Sequence, residues 1–297
     1  MKSLFVILAL CSLLTGAQAQ RVLTITTEPN AKVWINDVYR GNTDDQGILK
    51  IKNPPKPPLR IRVRAYGFQE FVKLLNTSER EIKIKLIKTN DKAELAFQNA
   101  ERIASSDKEK ALELYSEAIR LRPKYAEAYV AMARILMDMG ETEKALEAIS
   151  NARKIKPSYP EASAVEGRIY KAEENEEKAI EAFKRAIREG KGFQPEAYAG
   201  LGLLYKERAE GFSLQGKFDQ ERKEYELAAK ALRTSIEQLA GAPDAEVLYQ
   251  MLGLIYEKQE KYAEAIKVYE EFLRVFPDSN EKSAVESFIL QLKKKMN

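Results

Sequence analysis

Laid against itself at a spacing of 34 residues, the later two-thirds of this 297-residue chain falls into step. Ala111, Ala145 and Ala179 coincide, and four places on come Tyr115, Ile149 and Phe183. Three places further stand Ala118, Ala152 and Ala186, and Pro123 and Pro157 close the first two units. In the other half of the unit Ala133, Gly167, Gly202 and Gly253 hold a small-residue position, each followed three places later by Leu136, Tyr170, Tyr205 or Tyr256. Such a pattern suits a helix–turn–helix hairpin: small residues let two helix backbones approach, large ones fill the space beside them, and proline stops the second helix.

These positions together resemble the tetratricopeptide repeat, which implies an all-α solenoid. The spacing predicts units at 92–125, 126–159, 160–193, 195–245 and 246–279, with 280–297 as a C-terminal capping helix. Asn99 takes the small-residue position of the first unit, so its first helix is expected to pack against whatever precedes it. Asp91 with Glu94, and Ser106 with Glu109, read as capping boxes. The tyrosines at repeat packing positions, among them Tyr129, Tyr198, Tyr249 and Tyr269, read as core. The fourth unit departs from the pattern. Between Tyr205 and Ala228 it carries about two extra helical turns on each side. Phe212, Leu214, Phe218 and Tyr225 lie in or beside that tip, either zipping the longer hairpin to itself or forming a protruding knob for a partner.

Ahead of the repeats the apolar period changes to two. "VLTIT", "AKVWIN", "GILKIK", "LRIRVRAY", "FQEFVKLL" and "REIKIKL" read as short strands of a small all-β sandwich over 20–88. "NPPKPP", residues 53–58, reads as a stiff loop between two of them, not as a polyproline ligand. "EPNAKVWINDVYRGNT" keeps Pro29, Ala31, Val33, Ile35, Asn36, Gly41 and Thr43, and resembles the start of the PEGA domain; "VRAYGFQEF" fits that family's aromatic–Gly–aromatic turn. Asn30 stands where the family has Glu-Gly, and Asp37 where it has glycine, though Asn-Asp still takes the positive φ of a tight turn. The resemblance implies a β-sandwich of bacterial envelope and surface proteins, without enzymatic activity.

Charge is uneven. Residues 20–88 hold fourteen Lys/Arg against seven Asp/Glu. Arg60, Arg62 and Arg64 share one side of a strand, and Lys50 with Lys52 and Lys83 with Lys85 repeat the arrangement. These seven define a candidate basic face. It is either a solvated surface whose cations guard the edges, or a site for an anionic envelope polymer or lipid headgroup.

The first nineteen residues look like a secretory leader: Lys2, the apolar "LFVILALCSLL", then "TGAQA" and cleavage before Gln20. Cys11 loosely suggests a lipidation box, but Leu10 occupies the place that wants a small residue. Export to the periplasm or cell surface is expected, with no transmembrane segment in the mature chain. Nucleic acid is then a poor partner. The chain has no histidine, and its one cysteine is Cys11. That removes the commonest metal ligands and proton-transfer groups, so no cofactor, no metal and no enzymatic activity are expected.

Stacked hairpins leave a concave groove lined by the first helix of each unit. The second, fifth, ninth and twelfth positions, carried over from the repeat family, give Glu127, Val130, Arg134 and Met137, then Glu161, Ala164, Arg168 and Lys171. The fourth unit adds Glu196, Ala199, Leu203 and Lys206, and the fifth Val247, Gln250, Leu254 and Glu257. Arg134 above Arg168, and Lys171 above Lys206, predict a basic ladder for an acidic peptide or chain terminus, unless Glu127 and Glu161 neutralise it. The family's chaperone-tail clamp is absent: Ala100, Arg134, Arg168, Leu203 and Leu254 fill its ninth position. The expected function is an exported scaffold, its β-module tethering to the envelope and its groove holding a protein. A periplasmic assembly factor or chaperone is the alternative.

Overall fold

The computed structural model describes residues 21–76 and 79–296, so the predicted leader lies outside the described residues. Seven strands come first: β1 (Val22–Thr26), β2 (Lys32–Ile35), β3 (Val38–Asn42), β4 (Ile48–Lys52), β5 (Leu59–Arg64), β6 (Phe71–Leu75) and β7 (Glu81–Lys83). They form two sheets, β4-β1-β7 and β3-β2-β5-β6, with β1 and β7 parallel and the other pairs antiparallel. The period of two places one side chain in two inward, and the inward set is a single core: Leu23 and Ile25 from β1, Val33 and Ile35 from β2, Ile61 and Val63 from β5, and Ile82 from β7.

β3 is not among the strands read from the alternation. It follows β2 through a two-residue turn in which Asn36 and Asp37 both have positive φ, 52° and 62°. Asn and Asp tolerate that conformation better than most side chains, and the turn's twist suits a hairpin. Asn36 Oδ1 also accepts the Arg60 backbone N–H at 2.8 Å, which ties the turn to β5.

Helices then run in pairs: α1 (Lys92–Ile103) with α2 (Lys108–Leu121), α3 (Ala126–Asp138) with α4 (Thr142–Ile155), and α5 (Pro160–Ala172) with α6 (Glu176–Glu189). α7 (Pro195–Leu214) pairs with α8 (Phe218–Leu239), α9 (Ala245–Lys258) with α10 (Tyr262–Val275), and α11 (Lys282–Met296) packs on α10. Asp91 caps α1, accepting from the N–H groups of Ala93 and Glu94. The other half of the expected box is not made: the Asp91 N–H donates to Thr89 Oγ1, and Glu94 accepts from Gln98 and Tyr125. The second cap differs. Asp107, not Ser106, accepts the Lys110 N–H that opens α2, while the Ser106 hydroxyl donates back to the Ile103 carbonyl. An aspartate one place nearer the helix satisfies an orphan N–H with a full charge at the positive end of the dipole.

The lengthened fourth hairpin has 20 and 22 residues in its helices against 13 and 14 in the third. Tyr225 is buried there and belongs to the C-terminal core. Leu214 and Phe218, however, are 91% and 66% exposed. The zipper therefore does not reach the tip: the reverse turn at Gln215–Lys217 carries both side chains outward.

The small residues of the repeat sit where helices touch. A Cβ added at Gly253 would fall 2.3 Å from the Tyr269 ring, and one at Gly202 would fall 2.6 Å from Leu232. Phe183 lies between two glycines, with Gly167 and Gly200 both closer than a methyl group would allow. Helix propensity alone favours alanine over glycine, so contact decides the sign. Gly253→Ala is expected to cost about 1–3 kcal/mol in urea unfolding through overpacking. Gly211→Ala, in α7 with no atom within 4 Å of the new methyl, is expected to gain about 0.5–1 kcal/mol. Equal effects at the two positions would contradict the close-contact reading.

Candidate functional site: the concave face and the module docked on it

The connection from the sandwich to α1 is stitched to the sandwich itself. The Gln69 N–H donates to the Ile87 carbonyl at 2.7 Å, and the Thr89 N–H donates to the Gly67 carbonyl at 2.9 Å. Little freedom is left between the two modules. From the other side, Gln98 of α1 accepts the Gly67 N–H at 2.9 Å and donates to the Phe68 carbonyl at 2.8 Å. The first helix does pack on the β-module, as the Asn99 position suggested.

At the centre of this contact stands Arg64, whose side chain is 4% exposed. Its guanidinium reaches Glu70 at 2.8 Å, Glu101 at 3.0 Å, and both oxygens of Glu127 at 3.0 and 3.1 Å. Burial would lower the Arg64 pKa, but Glu127, Glu101 and Glu70 outweigh it and raise the pKa above the ordinary arginine value. Glu70 is pushed up by burial, with Arg64 pulling against it. The ring of Phe97 lies under Arg64 at 4.8 Å, and Trp34 lies under Arg62 at 4.2 Å. The chain's single tryptophan is thus a platform for an arginine. Lys32 adds a longer contact to Glu101 at 3.4 Å.

The same sheet reaches the far end of the solenoid. Arg40, on β3, donates to the Leu239 and Ala240 carbonyls at 2.7 and 2.9 Å. These carbonyls end α8, where Ala240 turns left-handed at φ 47° and the helix dipole is negative. Burial without a carboxylate partner lowers the Arg40 pKa to about 10, so it is still charged at neutral pH. Val38 joins the apolar cluster of the last units, and Lys52 pairs with Asp278. The β-module, through β5 and β3 of one sheet and β4 of the other, therefore ties the first two units to the last two.

The candidate basic face is not one surface. Lys50, Lys52, Lys83 and Lys85 belong to the three-stranded sheet and its extension; Arg60, Arg62 and Arg64 belong to the four-stranded sheet on the other side of the core. Packing two sheets on one core sends their outer faces in opposite directions. Arg62 and Arg64 are taken up by the helices, Arg60 pairs with Asp37, and Lys83 lies 3.4 Å from Glu81. Lys50 and Lys85 are exposed.

The basic ladder is also answered from within. Arg134 of α3 binds Glu196 of α7 through two bonds of 2.7 and 2.6 Å, and Arg168 of α5 reaches the same carboxylate at 3.2 Å. Glu196, not Glu127, is the hydrogen-bonded counter-ion of both arginines, and the charge of Glu161 adds to it at Arg134. Curvature brings the second halves of α3 and α5 close enough to the start of α7 for one glutamate to bridge two arginines. Glu161 is half-buried near Arg134 and leaves one carboxylate oxygen without a hydrogen bond, while Glu127 is held by Arg64. Lys171 pairs with Glu207 and Lys206 with Glu210, each at 2.7 Å. Val130 and Ala164 are buried, Met137, Ala199 and Leu203 half-buried, and Leu254 exposed. An acidic guest would have to displace carboxylates already in place.

Sequence reasoning did not single out Glu70, Gln98 or Glu101, and it read Glu94 only as part of a capping box. A signal was present. Glu94, Gln98 and Glu101 recur at i, i+4 and i+7, a polar stripe on a helix of a repeat that should bury that face.

Comparison with known families agrees with this geometry. Tetratricopeptide-repeat models match residues 102–169, 161–189 and 247–279, so the chain carries tetratricopeptide repeats. No curated protein sequence matches it. Among solved structures, MamA is 23% identical over 62% of this chain and 95% of its own, with a TM-score of 0.43. A chain of the APC/C hetero-tetramer Cut9–Hcn1 is 17% identical over 67% of this chain and 36% of its own, with a TM-score of 0.51. A thermophilic TPR protein of Thermus thermophilus, TTC0263, is 19% identical over 67% of this chain and 99% of its own, with a TM-score of 0.49.

Two outcomes follow from the charges. Arg64→Ala leaves three carboxylates around a cavity and is expected to lower unfolding stability by about 3–5 kcal/mol; a loss below about 1 kcal/mol would make the cluster a surface pair instead. Burial would raise the Glu196 carboxyl, but Arg134 and Arg168 hold it below the usual carboxylate range. Its contribution is complete above the unfolded value of about 4.3 and is lost as pH falls through the lower folded value. The wild type should therefore lose thermal stability more steeply than Glu196→Gln between about pH 5 and pH 3. Parallel curves would show that the bridge contributes nothing.

Proposed function

We propose that the chain is a non-enzymatic, exported scaffold that holds a protein partner on its repeats, with a PEGA-like module at its front. The observation that carries this reading is the use of the charged groups. Arg64, Arg134, Arg168, Lys171 and Lys206 have neighbouring glutamates as partners, and those bonds fix the shape of a surface. Stacked hairpins supply area and curvature for binding a chain. The repeats themselves favour protein interaction over chemistry at a reactive centre.

The leader-like start supports export, and the envelope is the compartment in which this scaffold works. Tethering falls to the outer face of the three-stranded sheet, where Lys50, Lys83 and Lys85 are exposed. An anionic envelope polymer or lipid headgroup suits that face, with an attraction that salt weakens. The opposite face takes no part in the tether, because it is spent on α1 and α3.

Crosslinking of the full chain in its native cell, followed by identification of what is captured, tests the reading. One dominant envelope protein is expected. A broad set of newly exported chains would replace the scaffold with an assembly factor or chaperone, and recovery in the cytoplasmic fraction would overturn export. Retention of the full chain on envelope fractions should fall at high salt and in Lys50→Glu/Lys85→Glu; retention equal under all conditions would remove the electrostatic tether.

A further inference from the structure

The ninth position of each hairpin's first helix changes character along the chain. It is Arg134 and Arg168 in the second and third units, then Leu203 and Leu254 in the fourth and fifth. The spacing of 34 residues carries the register from Leu254 to Phe288 in the closing helix α11. The repeat's positively charged stretch thus gives way to three apolar side chains at one place in the concave register.

These side chains are only partly used by the fold. Leu254 and Phe288 are each 42% exposed, and Val247, at the second position of α9, is 49% exposed. Phe288 has its ring 5.9 Å from Tyr269, while Val285, Ile289 and Leu292 are the residues by which α11 joins the core. The β-module covers the first half of the concave face through Arg64 and Gln98. At the other end Arg40 reaches the Leu239 and Ala240 carbonyls, Val38 joins the C-terminal core, and Lys52 pairs with Asp278 at the edge of a cleft beside Val247.

The border of this apolar half is acidic. Val247 and Gln250 share a cleft of about 680 Å³ with Asp244, Glu246, Asp278 and Glu281. Asp278 is answered by Lys52 and by the nearby charge of Lys282, and Glu246 accepts from the Ser279 hydroxyl, while Asp244, Glu246 and Glu281 have no ion pair among the described residues. Apolar side chains recover free energy when covered, and uncompensated carboxylates attract cations.

We propose that the C-terminal half of the concave face binds a protein segment whose apolar side chains are flanked by lysine or arginine. This rests on the reading of the repeats as a partner-binding surface, and it reverses the chemistry that the arginine ladder suggests for the guest. The apolar side chains cover Leu254, Phe288 and Val247, and the flanking cations meet the carboxylates at the starts of α9 and α11.

The test uses the purified full chain and four synthetic peptides: a Leu/Phe or a Ser core, each flanked by Lys or by Glu. The Leu/Phe peptide with Lys flanks is expected to bind, weakening with added salt, and its Glu-flanked counterpart to bind about tenfold more weakly or less. Leu254→Ser/Phe288→Ser changes exposed side chains, and circular dichroism checks that the helices persist; binding should drop about tenfold or more. Binding of no peptide, equal binding of the Glu-flanked peptide, or binding untouched by the double substitution would each overturn the proposal. A photo-crosslinking residue at Gln250 in the cell separates the two readings. A captured segment rich in apolar and basic residues supports this one, whereas an acidic segment, or a second copy of this chain, overturns it and leaves a partner-binding solenoid standing. No capture at Gln250, with a partner crosslinked elsewhere on the repeats, overturns it likewise. No partner anywhere on the repeats removes both.

Discussion

Arg64 is a nearly buried cation set between two modules that the sequence writes in different periods. A guanidinium in such a place is stable only if carboxylates surround it, because taking a charge out of water costs several kcal/mol before any pairing is counted. Glu70 comes from its own module, Glu101 from α1 and Glu127 from α3, so the requirement is met only when the sheet lies on the helices. Arg62 over Trp34 and Gln98 against the 67–68 turn extend the same contact. Charges arranged in this way add less to net stability than to uniqueness of geometry: a sheet rotated or slid across α1 would strand the arginine.

Docking determines how much of the solenoid a partner can reach. With Arg64 at one end and Arg40 at the other, the sheet spans from the first units to the end of α8. The curvature of the repeat stack is thereby set from outside the stack, by a module that precedes it in sequence. Inside, Glu196 draws α3, α5 and α7 together through two arginines. The concave face is divided in consequence: a first half filled by the β-module and by internal ion pairs, and a second half where Val247 and Leu254 are exposed beside acidic residues.

The repeat was legible because its packing rules are local. Gly167, Gly202 and Gly253 repeat at a position where only a small side chain fits, and Phe183, Leu232 and Tyr269 face them at a matching position of the second helix. The sandwich core was legible for the same kind of reason, through alternation along each strand. What the pattern missed depends on partners far away in the chain. β3 hid because Arg40 and Gly41 break the alternation, and Arg40 is buried only because α8 ends against it. The arginines of β5 read as a solvent face, since nothing local says that carboxylates 37 and 63 residues later will cover them. Arg134 and Arg168 read as an open ladder because their counter-ion lies 62 residues beyond the first of them and reaches it through the curvature of the stack. The lengthened hairpin was visible, yet the direction of Leu214 and Phe218 depended on the turn geometry at its tip.

Because Trp34 lies at the docking face, under Arg62, its fluorescence reports the β-module, while the far-ultraviolet circular dichroism signal reports the helices. Following both during equilibrium unfolding in urea measures whether the two modules are one cooperative unit. If Arg64 and Arg40 join sheet and solenoid as described, the two signals change together, with one midpoint and one slope. Two separated transitions, with Trp34 exposed while the helices persist, would contradict the account.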